Sequence, residues 1–124
     1  MAGTFRSITP LVPAGGDFAE ALAFYTQQLG FVVEWQGEEM AGVRRGTVAL
    51  NLVQNTNRVW AENASASIGV DDLDALYAEY RGIPAQVGSL ELKPWGRREF
   101  HLVLPSGVCL QFFAEPSGPP RAAP

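Results

Sequence analysis

Apolar and polar positions along this chain change period several times. Phe5 to Val12 is mostly apolar without a helical period, which predicts a strand, with Pro10 marking an edge or a bulge. Asp17, three residues before Glu20, is placed to cap the first free amides of a helix. Phe18, Ala21, Leu22, Tyr25 and Leu29 then share one helical face, and Gly30 stops the helix. Phe31 to Trp35 reads as a strand, Gln36 to Glu39 as a turn, and Met40 to Arg44 as a second strand. Gly46 turns the chain into a third, Thr47–Val53. Asn55 to Asn57 is polar and loop-like, and Trp60 is expected in the same loop before Asn63.

The second half runs in the same order. Ala64–Val70 predicts a strand. Asp71 or Asp72 caps a helix whose Leu73, Leu76, Tyr77 and Tyr80 share a face. Gly82-Ile83-Pro84 ends it. Ala85–Val87, Glu99–Leu104 and Val108–Ala114 read as strands, the last two joined by a turn at Pro105-Ser106-Gly107. The helices starting at Asp17 and Asp72 are 55 positions apart, and the strand-opening Gly46 and Gly107 are 61 apart. Both offsets are near half the chain, so two tandem βαβββ units would produce them. Two unrelated amphipathic helices would be the plainer source of the first offset alone. The expected organisation is one domain over residues 1–116, with modules at about 5–56 and 64–115. Residues 117–124, rich in proline, are expected to be a disordered tail.

Composition narrows the classes. A chain of 124 residues with 47% hydrophobic content can bury a core without disulfide staples. A net charge of −4 argues against a nucleic-acid partner, which needs a basic face. It permits a cationic ligand. No apolar run approaches the ~18 residues of a membrane span, and the N-terminus has no secretion-signal pattern, so a cytoplasmic location is expected. The single Cys109 and single His101 leave no set for a His/Cys zinc site.

Five segments carry a family resemblance. Ala21-Leu22-Ala23-Phe24-Tyr25 with Leu29-Gly30-Phe31 is similar to the first-helix signature of the vicinal oxygen chelate superfamily, which includes glyoxalases and bleomycin resistance proteins. Ala41 to Gly46 resembles that group's AGV-R-G segment, and Leu76 to Tyr80 its LYAEW helix. Pro94-Trp95-Gly96-Arg97-Arg98-Glu99-Phe100 resembles PWGREF with one arginine extra, and Gly107 to Phe112 resembles GNCVHF. Together they point to the bleomycin resistance branch.

The resemblance implies an α+β fold of paired βαβββ modules with curved mixed sheets. It further implies a homodimer, often exchanging its first strand. No catalytic activity is expected. Cationic glycopeptide antibiotics would be sequestered in two grooves between the subunits. The family's metal-ligand places fall here on Thr9 or Pro10, Asn51, Ser65 and Gln111. None carries a formal charge, and neutral groups offset poorly the dehydration of a divalent ion, so neither metal nor cofactor is expected. In the groove, Trp35 takes the place of a family Phe, Met40 that of a second Phe, Trp95 matches the family Trp, and Ser67 stands where a further Trp would be. The stretch Arg81 to Pro94 is shorter than in antibiotic-binding members, which opens one wall of the groove.

The rest of the expected groove follows from strand alternation. Glu99, His101 and Val103 share a face, as do Cys109, Gln111 and Phe113. The resemblance turns Gln111's place toward the groove, so Cys109 and Phe113 are expected there too. His101 is read either as a groove residue or as a half-buried histidine bonded within the sheet. Asn51, His101 and Gln111 would supply hydrogen bonds, while Trp35 and Trp95 stack and Met40 and Phe113 pack. Trp60 would be a replacement wall. Glu34, Glu38 and Glu39 around Trp35 would form an acidic rim for a planar cation. The alternative is an enzyme of the same superfamily, a lyase, isomerase or dioxygenase. It would use an atypical metal site or metal-free acid–base chemistry at Glu99–His101.

Overall fold

Three short helices begin on side-chain caps. Asp17 accepts from the Glu20 amide at 3.0 Å, Asn57 from the Trp60 amide at 3.2 Å, and Asp72 from the Ala75 amide at 3.0 Å. In the computed structural model, which describes residues 3–115, these caps open α1 (Phe18–Ala23), α2 (Arg58–Asn63) and α3 (Leu73–Tyr80). The expected single helix up to Leu29 instead widens into a π-turn over Phe24–Gln28. There the Thr26 hydroxyl donates to the carbonyls of Leu22 and Ala23, competing with the regular ladder.

The strands are β1 (Leu11–Pro13), β2 (Val32–Gln36), β3 (Met40–Arg45), β4 (Val48–Val53), β5 (Ser65–Val70), β6 (Gln86–Val87), β7 (Glu91–Leu92), β8 (Arg98–Val103) and β9 (Cys109–Ala114). They form two sheets, ordered β1-β4-β3-β2 and β5-β9-β8-β6, with β7 also on β8. Each sheet opens with a parallel pair, β1 on β4 and β5 on β9, and continues antiparallel. The tandem repeat is therefore present in the topology as well as in the spacing.

Alternation seals one side of each sheet. Val12, Val43, Leu50 and Leu52 from the first sheet and Ile68, Phe100, Leu102, Leu110 and Phe112 from the second join Tyr25, Leu29, Phe31, Leu73, Leu76 and Tyr80 in one buried cluster. Phe100 stacks on Phe112 at 5.2 Å between ring centres, with Tyr77 and Tyr80 edge-on to the pair. Arg45 ties the two modules together. It donates to the Leu29 carbonyl, the Tyr80 hydroxyl and the Glu79 carboxylate at 2.8–2.9 Å.

Several expectations are corrected. The strand expected over Phe5 to Val12 is paired only at Leu11–Pro13. Residues 3–10 form no strand, and Phe5 and Ile8 are almost wholly exposed, because no neighbouring edge within the chain covers them. Trp60 sits on helix α2, half-buried, and not in a loop, because Asn57 caps a turn there. Between Arg81 and Pro94 the strand expected at Ala85–Val87 is present as β6, and β7 is a further strand beyond those expected. Residues 117–124, expected to be a disordered tail, lie outside the described residues.

Candidate functional site

The side of each sheet away from the core carries the residues of interest. On the first sheet, Leu11, Asn51, Gly42 and Trp35 lie in register across four strands. A Cβ at Gly42 would collide with the Trp35 indole, so the indole lies over Gly42. Trp35 remains 45% exposed, leaving ring surface free for a ligand. Met40, paired with Val53, is two residues along the same face. The acidic rim is smaller than expected, because Glu34 pairs with Arg44 at 2.7 Å.

On the second sheet, Ser67, Gln111 and His101 are in register across β5, β9 and β8, with Gly69, Phe113 and Glu99 in the next row. Cys109 pairs with Ser65 and Val103. Burial raises the Cys109 thiol pKa, against a smaller lowering by a Gln111 hydrogen bond, which makes it a poor nucleophile. Trp95 sits in the turn between β7 and β8 and is 62% exposed. Among the described residues, neither Trp35 nor Trp95 pairs with another aromatic ring.

The nine candidate residues therefore divide by sheet. Trp35, Met40 and Asn51 belong to the first face, and Ser67, His101, Cys109, Gln111 and Phe113 to the second, with Trp95 at its edge. Two clefts among the described residues lie mostly elsewhere. A cleft of about 520 Å³ separates the modules beside Arg45, Val48, Asp72 and Glu79. A second of about 570 Å³ includes Cys109 but otherwise runs along Arg58, Glu62 and Pro84.

Glu99 carries a feature that strand alternation did not reveal. It is the one buried charged residue among those described, at 0% exposure. One carboxylate oxygen takes the Arg97 guanidinium at 3.4 Å and lies 3.7 Å from His101 Nε2, while Oε1 has no partner. At 3.7 Å the His101–Glu99 contact is too long for a hydrogen bond, so the acid–base dyad is not assembled in this geometry. Arg97 itself lies 3.9 Å above the centre of the Phe113 ring and donates to the Ser67 hydroxyl at 3.2 Å. The sequence signal for this contact was the extra arginine after Trp95-Gly96.

Metal donors are sparse. Among the described residues no three His, Cys, Asp or Glu side chains gather as a metal-binding group. Asn51 and Gln111 are neutral donors on separate sheets, and Thr9 and Pro10 precede β1. That donor set does not fit a divalent ion. Among the described residues no helix is long and apolar enough to cross a membrane.

Comparison with known proteins places these features. A family model described as Glyoxalase/Bleomycin resistance protein/Dioxygenase superfamily matches residues 8–120. A bleomycin-binding protein from Streptomyces verticillus, solved with copper(II)-bleomycin, is 30% identical with a TM-score of 0.82, covering 93% of this chain and 100% of that one. A bleomycin resistance determinant encoded on the transposon Tn5 is 25% identical with a TM-score of 0.78, over 89% and 98%. A further bleomycin-binding protein, solved with bleomycin, shares the fold at 24% identity and a TM-score of 0.79, over 90% and 100%. Curated protein sequences contain no match.

Proposed function

The chain belongs to the Glyoxalase/Bleomycin resistance protein/Dioxygenase superfamily, and on that premise we propose that it is a non-catalytic binding protein that sequesters bleomycin-type antibiotics or a similar planar cation. Binding needs no metal in this reading. The ligand lies in grooves of a homodimer, each bounded by the first sheet of one subunit and the second sheet of its partner. The observation that carries the reading is the pair of open sheet faces, with the Trp35 indole laid over Gly42 on one and His101, Gln111 and Phe113 on the other. Each face offers a few aromatic surfaces among small and polar groups, the composition of a small-molecule site. Among the described residues the first face lines neither of these clefts and the second meets them only at Gly69 and at its Val103 and Cys109 end, and two-fold pairing would oppose unlike faces twice. The exposed Phe5 and Ile8 supply an apolar arm for the partner.

In the proposed groove Trp35 and Trp95 stack on flat rings of the ligand, Met40 and Phe113 pack, Asn51, His101 and Gln111 donate or accept hydrogen bonds, and Ser67 and Cys109 line the floor. Sequestration lowers free drug by mass action and requires no bond-making. Titration of metal-free bleomycin, followed by calorimetry and tryptophan fluorescence, tests the reading. Saturable heat with quenching, at one drug per subunit, is the expected result. No heat and no quenching at millimolar drug would refute it. The superfamily also contains enzymes, and stoichiometric metal in the purified protein would favour that alternative.

A further inference from the structure

Arg97 rests on Phe113 as a ligand would. Its guanidinium lies 3.9 Å above the ring centre, within the range of a cation–π contact. Gly69, in register with Phe113, makes room first for the Glu115 carboxylate, which a Cβ there would strike, and next for the ring edge, with Phe113 Cζ at 2.9 Å from that Cβ, so a second carboxylate lies beside the ring. The same guanidinium donates to Ser67 at 3.2 Å and to Glu99 at 3.4 Å. Two features mark this arrangement as a site and not a chance surface contact. Glu99 is fully buried, and its Oε1 has no partner among the described residues, so its acceptor capacity exceeds what Arg97 uses. Arg97 Nε is likewise buried without a partner, so the arginine is itself imperfectly satisfied there. Gly96, at φ +87°, turns the chain so that Arg97 reaches back over β9, and the arginine's side chain is still 39% exposed.

We propose that the Phe113 ring, the Glu99 carboxylate and the Ser67 hydroxyl form a planar-cation subsite that the chain's own Arg97 fills, and that a ligand bearing an amidinium or guanidinium group binds there by displacing it. The ring accepts a flat cation on its face, and the carboxylate and hydroxyl select N–H donors at its edge. Arg97 is then a tethered competitor that raises the ligand concentration needed for occupancy. Because it shares a turn with Trp95, its departure also repositions that indole. This proposal deepens the binding-protein reading, but its chemistry is tested without the antibiotic.

The probe is benzamidine, a flat monocation, titrated by calorimetry into the full chain and into Arg97→Ala. The variant is expected to bind benzamidine at least tenfold more tightly, and Phe113→Ala in the Arg97→Ala background is expected to remove the gain. In the unmodified protein, the Arg97 side-chain NMR signals are expected upfield, shifted by the Phe113 ring, and to return to free-arginine positions as benzamidine saturates. Should Arg97→Ala fold poorly, added guanidinium chloride at low millimolar concentration is expected to raise its melting temperature where sodium chloride does not. Equal benzamidine affinity in both proteins overturns the proposal, as does Arg97 remaining on the ring in the saturated protein, or absence of binding to either. A guanidinium-terminated bleomycin that binds the unmodified chain no worse than Arg97→Ala sinks this inference and leaves the binding-protein reading standing. Benzamidine gain without any bleomycin binding does the reverse.

Discussion

Replacing Gly42 with alanine separates the seat of Trp35 from Trp35 itself. Gly42 is buried and not in the left-handed region, so alanine costs no backbone strain. Its methyl group, however, would stand 2.7 Å from indole Cδ1 and Cε2 and closer still to Nε1. Reaching the 3.4 Å of ordinary contact from the nearest ring atom, Nε1, requires the ring to shift by about 1.2 Å. The indole is half-exposed, so it swings outward instead of forcing the strands apart. An aromatic stack contributes about 0.5–1.5 kcal/mol beyond its area. Losing the seated pose then weakens bleomycin binding between about twofold and about tenfold. Stability changes little. Alanine gains about 0.4–1 kcal/mol by restricting the unfolded chain, which opposes the loosened indole, so the melting temperature stays within about 5 °C. Calorimetry on Gly42→Ala, Trp35→Ala and the double variant reads the coupling. The double variant is expected to bind no worse than Trp35→Ala alone, since the two substitutions remove one interaction. If Gly42→Ala binds as tightly as the unmodified protein while Trp35→Ala does not, the indole acts from another pose and the reasoning fails.

Other consequences are direct. Phe112→Ala removes the partner of Phe100 and the edge contact with Tyr80, so a loss of about 3–5 kcal/mol is expected from urea denaturation. Arg45→Met leaves the Leu29 carbonyl with the Tyr80 hydroxyl still bonded to it, and the Glu79 pair is largely solvent-screened, so only about 1 kcal/mol should be lost. Cys109 has its thiol pKa raised by burial, so the thiolate is scarcer than in a free thiol at pH 8. Iodoacetamide should therefore label it more slowly than glutathione, the rate climbing as pH rises through that elevated pKa; labelling as fast as glutathione at pH 8 would contradict the burial. Deleting residues 1–10 removes Phe5 and Ile8 and should shift sedimentation from dimer toward monomer.

Much of the architecture was legible because local signals agreed with one another. Asp17 and Asp72 cap as their spacing suggested, and Gly46 and Gly107 turn at positive φ into β4 and toward β9. The two-fold repeat of helix and strand then reappears as a parallel pair opening each sheet. The N-terminal segment was misread for a physical reason. Alternation reports that Phe5 and Ile8 want a partner, not whether the partner lies in the same chain. Trp60 was misplaced because a six-residue helix carries too few turns to display a period. On the second face, alternation correctly grouped His101 with Glu99 and Gln111 with Phe113, yet burial of Glu99 was invisible. A glutamate near a strand end ordinarily faces water; here Arg97 folds back over it, and that depends on Gly96 and on the ring of Phe113.

The two sides of each sheet answer different demands. Toward the core the side chains are large and branched, and they interlock with helix residues until almost nothing is exposed. On the opposite side Gly42, Ala49, Asn51, Ser67, Gly69 and Gln111 keep the floor low, while Trp35 lies across Gly42, and the Glu115 carboxylate and the edge of the Phe113 ring lie over Gly69. A surface meant only for water would carry charge, and one meant only for another subunit would be continuously apolar. A low floor crossed by flat rings holds flat guests, because each ring needs clearance above and a shallow seat below. Glycine at positions 42 and 69 supplies that seat, which is why a single methyl group at either place reaches the binding surface without touching the core.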